Sequence, residues 1–254
     1  MQRKEKILRR VPGLVLAGWI LCGGEARATK KVYSPHVVQG EVESEAQGSV
    51  VFDSREDLDG AQKQKYALGY GVTGFWFTEI YGEIEKEAAG QEEGEGWTFE
   101  AVEWENRFQL SEPGERFIDT GLYFAYEAAT EEDQADKVEG KLLLEKQWGE
   151  VDHILNLILE DDVGPNAEAG LGGGLAWSTR VRWKPYFEPG FEWHSDFKEL
   201  DDGKSFNEQE HQLGPSVYGK IGDHIKYDLG YLSGISDAAP EGELKWILEL
   251  EWYF

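Results

Sequence analysis

Three ionisable side chains stand two positions apart at Glu192, His194 and Asp196. In an extended strand such residues share a face, which would set one imidazole and two carboxylates along about 13 Å of chain. That donor set suits a transition-metal ion helped by a neighbouring strand. The spacing is too long for one ion to touch all three unless the strand bends. Nucleophilic catalysis has less to draw on. His194 and Ser195 are adjacent, so their side chains leave a strand on opposite faces and the hydroxyl cannot reach that imidazole. His211 and His224 have no nucleophile placed beside them by the sequence. Gly170, Gly172, Gly173 and Gly174 lack the Lys-Ser/Thr that completes a phosphate loop, and they precede a strand pattern rather than a helix. Glycine here instead lets a bulky neighbour fit or the chain bend. No cofactor is expected, and a hydrolase is the weakest of the functional readings.

Elsewhere, charge alternates with apolar side chains over long runs. The charged and polar face holds Glu79, Glu83, Glu85, Glu103, Glu105 and Arg107, then Asp119, Glu127, Lys141, Glu145, Asn156, Glu160, Arg180 and Arg182. It continues through Glu188, Glu192, His194, Asp196, Lys220, Lys226, Asp228, Lys245, Glu249 and Glu251. Such a face cannot be buried dry, because each unpaired charge costs several kcal/mol. Salt bridges or water must fill the space it encloses. Carboxylates outnumber bases on it, so an open interior would favour cations.

Period-2 alternation is the mark of strands, and the cleanest run is the last. Leu244, Trp246, Leu248, Leu250, Trp252 and Phe254 interleave with Lys245, Ile247, Glu249, Glu251 and Tyr253. Twelve such runs are predicted, near Gly40–Phe52, Lys63–Val72, Phe75–Glu85, Trp97–Leu110, Arg116–Ala128, Lys137–Trp148, Asp152–Glu160, Ala169–Trp183, Tyr186–Phe197, Gln209–Ile221, His224–Ser233 and Glu243–Phe254. Their connections alternate in length. The long ones run Asp53 to Gln62, Lys86 to Gly96, Thr130 to Asp136, Asp161 to Glu168, Lys198 to Glu208 and Gly234 to Gly242. The short ones are Thr73-Gly74, Ser111 to Glu115, Gly149 to Val151, Lys184-Pro185 and Gly222-Asp223. This is the order of an all-β, antiparallel, up-and-down transmembrane barrel with an even strand count and both ends in the periplasm.

Residues 1–28 read as a cleaved signal peptide, with Arg3, Lys4, Lys6, Arg9 and Arg10 before an apolar run from Val11 to about Cys22, then Ala26-Arg27-Ala28. That run is shorter than the ~20 residues a spanning helix needs. Residues 29–254 then form one barrel domain with 19 basic against 48 acidic residues and no cysteine. Without basic patches, nucleic acid is not an expected partner. The whole chain has 33 aromatic residues, and those beyond residue 28 suit girdles at two membrane interfaces. Acidic loop residues Glu92, Glu93, Glu95, Glu131, Glu132, Asp133, Glu199, Asp201 and Asp202 are solvated tips, or bind lipopolysaccharide phosphates through divalent cations.

The terminal Trp252 and Phe254 resemble the C-terminal signal read by the barrel assembly machinery of the bacterial outer membrane. Trp104-Glu105-Asn106-Arg107-Phe108-Gln109-Leu110 and Tyr231 to Ser233 resemble a poorly characterised proteobacterial group of outer-membrane barrels. The resemblance implies an outer-membrane location in a Gram-negative bacterium and carries no activity. It departs from trimeric porins in its fewer strands. The functional expectation is a narrow channel or binding site for small polar or cationic solutes. The alternative is a structural or surface-interaction barrel with a salt-bridged, plugged lumen.

Overall fold

The computed structural model describes residues 30–88, 96–167, 170–197, 200 and 203–254. The signal-peptide expectation, and the acidic residues Glu92, Glu93, Glu95, Glu199, Asp201 and Asp202, lie outside them. Twelve strands form: β1 Glu41–Phe52, β2 Gln62–Thr73, β3 Trp76–Lys86, β4 Thr98–Gln109, β5 Asp119–Ala129, β6 Asp136–Trp148, β7 Val151–Val163, β8 Gly172–Val181, β9 Glu188–Phe197, β10 Glu210–Ile221, β11 Ile225–Gly234 and β12 Gly242–Tyr253. Each pairs antiparallel with its neighbours, and β12 returns to β1 to close the barrel. The seam runs unbroken from Glu41 opposite Tyr253 to Phe52 opposite Gly242. Closure leaves no edge strand with unsatisfied backbone groups, which is what allows strands to sit in a bilayer.

The two-residue period sorts the side chains. On β2, Leu68 points outward and is 69% exposed, while its neighbours Lys65 and Ala67 are buried inside. Along the outer wall, apolar Leu68, Ile80, Val102, Phe124, Leu142, Leu157, Leu229 and Leu248 are exposed, an apolar band over β2 to β7, β11 and β12. Aromatic rings border it at both ends. Phe75, Phe117, Trp148, Trp183, Tyr186 and Trp252 lie beside the short connections, and Phe52, Trp97, Phe99, Tyr126 and Tyr231 beside the long ones. Not every ring serves a girdle: Phe77, Tyr81, Tyr123 and Tyr218 are buried inside.

The connections keep the expected alternation with two exceptions. The β8–β9 connection, residues 182–187, is as long as the β5–β6 one, residues 130–135. β4 and β5 are joined by residues 110–118, because β5 starts at Asp119 rather than at Arg116. The Asp119 carboxylate accepts hydrogen bonds from the backbone N–H of Gly114, whose φ of +74° suits glycine, and so holds this segment as a folded turn. At the opposite rim, two long connections are clasped. Asp53 accepts from Arg55 Nε at 2.8 Å and Nη2 at 2.7 Å and from the Glu241 N–H at 3.0 Å, while Arg55 donates to the carbonyls of Asp237 and Ala239.

Ahead of β1, residues 30–40 form no strand. The chain turns at Gly40, whose N–H donates to the Gly71 carbonyl, and runs back inside the barrel from the short-connection rim. Tyr33 and Val37 are buried there.

Candidate functional site

The lumen is the site, and its wall is charged as expected. Glu79, Glu83, Glu103, Glu105 and Glu192 are all buried within it. The charges sort into local groups. On β2, Lys65 Nζ lies 2.8 Å from Glu83, 2.6 Å from Glu103 and 3.8 Å from Glu127, and Lys63 pairs with Glu83 and, at 2.9 Å, with Glu85. On β12, Lys245 Nζ sits 2.7 Å from both Glu192 and Asp228. The Asp152 carboxylate on β7 receives Arg180 at 3.0 Å and Arg182 at 2.7 Å. Arg182 itself lies just past the end of β8, with its side chain half-exposed at the rim. Lys226 pairs with Glu251, and the Arg107 guanidinium lies 4.9 Å above the Phe77 ring.

Through the middle of these groups runs the N-terminal segment. Val37 N–H donates to Gln109 Oε1 at 2.8 Å, and His36 Nε2 meets Asp119 at 3.1 Å. Ser34 Oγ donates to Glu145 at 2.5 Å. Deeper, Tyr33 is held by its backbone: its N–H donates to Asn156 Oδ1 at 2.7 Å, and its carbonyl accepts from Asn156 Nδ2 at 2.8 Å. Its hydroxyl donates to Glu105 at 2.9 Å, and its ring packs 4.8 Å from that of Tyr123. Lys141 Nζ lies 4.5 Å from one ring and 4.3 Å from the other, a cation–π contact with both. Lys31 pairs with Glu45 and reaches Glu249 at 3.4 Å and Glu43 at 4.0 Å. The Lys30 carbonyl accepts from Lys245 Nζ at 3.0 Å. The segment therefore touches β1, β4, β5, β6, β7 and β12. Beside Tyr33, the walls Phe77, Glu79, Glu105 and Arg107 leave a cavity of about 10 Å³, room for one water.

The Glu192, His194 and Asp196 set is organised otherwise than the spacing suggests. His194 Nε2 binds Glu192 Oε2 at 2.7 Å, and the Lys245 ammonium lies 2.7 Å from the same oxygen, so that carboxylate already carries a cation. The Glu192 Oε1 accepts from Tyr218 at 2.5 Å. Among the described residues, the acidic groups whose oxygens converge within 4.8 Å are Glu41, Glu43 and Glu251, then Glu43, Glu45 and Glu79, then Glu83, Glu103 and Glu127.

Two features escape the sequence reading. His211 does have a hydroxyl beside it: its Nδ1 lies 2.7 Å from Ser195 Oγ across the β9–β10 pair. Register creates this pair, and Phe206, stacked 3.9 Å over the imidazole, covers it. The second is the wall of β1 and β2, where Glu41, Glu43, Glu45, Lys63 and Lys65 carry the same alternation as the residues singled out. That signal was there to be read. The folding of residues 30–40 into the lumen had none, because no periodic pattern marks it.

No protein-family model matches the chain, and no curated protein does. Among solved structures, an outer membrane channel from Pseudomonas putida F1 superposes with a TM-score of 0.59 at 12% identity, covering 90% of this chain and 100% of that one. A bacterial polysaccharide outer membrane secretin follows at 0.44 and 12% identity, covering 85% and 99% respectively. The first likeness shows a shared barrel fold.

Proposed function

We propose that the protein is an outer-membrane barrel whose lumen passes or binds small polar or cationic solutes and whose N-terminal segment 30–38 plugs that lumen. The carrying observation is that the interior is filled by a segment outside the wall, held by side chains of six strands. A wall that packs its own interior needs no such segment. Excess carboxylates along the wall support a cation preference. The apolar band with its aromatic borders supports a membrane location, as does the fold shared with a bacterial outer membrane channel. In this reading the short-connection rim faces the periplasm, Trp252 and Phe254 serve the assembly machinery, and the long acidic loops face lipopolysaccharide.

Planar-bilayer conductance tests the proposal. A variant lacking residues 30–37 is expected to conduct more than the full chain and to prefer cations. Glu103→Gln with Glu105→Gln should lower that preference. Silent bilayers for both the full chain and the deletion would overturn the channel and favour a second reading, a structural barrel. The two-point backbone clamp of Asn156 on Tyr33 is the feature that favours this second reading.

A further inference from the structure

We infer that Glu43, Glu45 and Glu79 form a divalent-cation site that the Lys31 ammonium fills while the N-terminal segment lies in the lumen; the inference rests on the plug reading above. Glu43 and Glu45 stand on β1 and Glu79 on β3, separated by β2. At the crossing β2 carries Gly69, opposite Glu43 on one side and Glu79 on the other. The Phe77 ring lies over Gly69, its Cζ 2.5 Å from where a Cβ would stand, with Glu79 Oε1 at 3.2 Å, so glycine here makes room for the ring and the Glu79 carboxylate on the inner face. One oxygen from each lies within 4.8 Å of the others. An ion bound at about 2.3–2.6 Å, the range for calcium, can touch all three.

The site has a built orientation and an unused ligand atom. The Tyr81 hydroxyl lies 3.0 Å from Glu45 Oε1 and 2.9 Å from Glu79 Oε2, holding both carboxylates. Glu79 Oε1 is buried and, among the described residues, has no hydrogen-bond partner. A cation ligand is what this oxygen lacks. Hard carboxylate oxygens select calcium, magnesium or manganese over softer metals.

Lys31 is the cation there now, and it differs from those of the other acidic groups. Glu83, Glu103 and Glu127 are neutralised by Lys65, a wall residue of β2, and Glu251 by Lys226 of β11. Both lysines are anchored on strands of the wall. Lys31 belongs to no strand, so its ammonium can withdraw with its segment and expose Glu43, Glu45, Glu79 and Glu249 without any positive partner from that segment. A divalent ion and the inserted segment then compete for one position, and each weakens the other by the same factor.

Calorimetric titration of calcium into the refolded full chain tests this. Lys31→Ala should bind calcium at least about tenfold more tightly than the unchanged protein, equivalent to about 1.4 kcal/mol. Adding Glu79→Gln should abolish most of that gain. Equal affinity with and without Lys31, or a gain that survives Glu79→Gln, would overturn the site. Should Lys31→Ala fail to fold, Lys31→Gln, which keeps most of the stem and removes the charge, takes its place in the same titration. Tighter calcium binding that Glu79→Gln removes supports the site, and affinity equal to that of the unchanged protein overturns it. Silent bilayers in the conductance experiment would sink the channel while leaving the calcium result standing, so the two ideas fail separately.

Discussion

Lys65 illustrates how a charged interior is made tolerable. Its ammonium is buried among three carboxylates, and with Lys63 nearby it compensates Glu83 and Glu103, which the wall would otherwise bury bare. Removing one partner of a buried pair leaves the other uncompensated, which costs about 3–5 kcal/mol. Lys65→Met should therefore lower the urea midpoint of the refolded barrel substantially, read by tryptophan fluorescence. Lys65→Met with Glu103→Gln should recover part of the loss. At this scale the sequence was informative about residue type and silent about partners. Glu103 and Glu105 share a face by alternation, yet one meets Lys65 of the wall and the other Tyr33 of the inserted segment. Ser195 and His211 meet only through the pairing of β9 with β10.

Among the elements, the clasp between the β1–β2 and β11–β12 connections has a defined response to pH. Hydrogen bonds from Arg55, with further ones from the Arg55 and Glu241 backbone N–H groups, hold the Asp53 carboxyl well below the usual carboxylate range. The folded state thus favours the ionised form. Its stabilisation is complete above the unfolded value of about 3.9 and is lost as pH falls below it. Protease protection of residues 53–61 should persist at neutral pH and fade below about pH 4. Asp53→Asn should weaken it at every pH above about 4, by about 1.5–3 kcal/mol of local opening free energy, since hydrogen bonds to charged groups are of that size. Strand positions were legible because the two-residue period is local, and the twelve strands fall within a few residues of the periodic runs. The β4–β5 connection was not, because the start of β5 depends on Asp119 folding back onto Gly114.

On the scale of the whole molecule, the outer wall sets the solvent the barrel requires. Leu68 lies near the middle of β2 with its side chain on the apolar band. Arginine at such a midplane position costs about 2–4 kcal/mol in a bilayer. Leu68→Arg should lower stability in lipid vesicles by that amount, whereas Leu68→Phe should change little. Equal effects of the two substitutions would argue against a lipid-facing wall.

Alternation of apolar and charged side chains determined, by itself, that the chain forms a barrel with a lipid-ready outside and an acidic inside. A strand's two faces follow from sequence parity alone, and a closed sheet has only an inside and an outside. Closure decided the rest. Which charges meet depends on register between strands, and which of them meet no wall partner depends on residues 30–40 turning inward at Gly40. That segment has no period to announce its place. It is held by polar contacts to six strands, and the contact points on β1 and β12 come together only when those two strands pair.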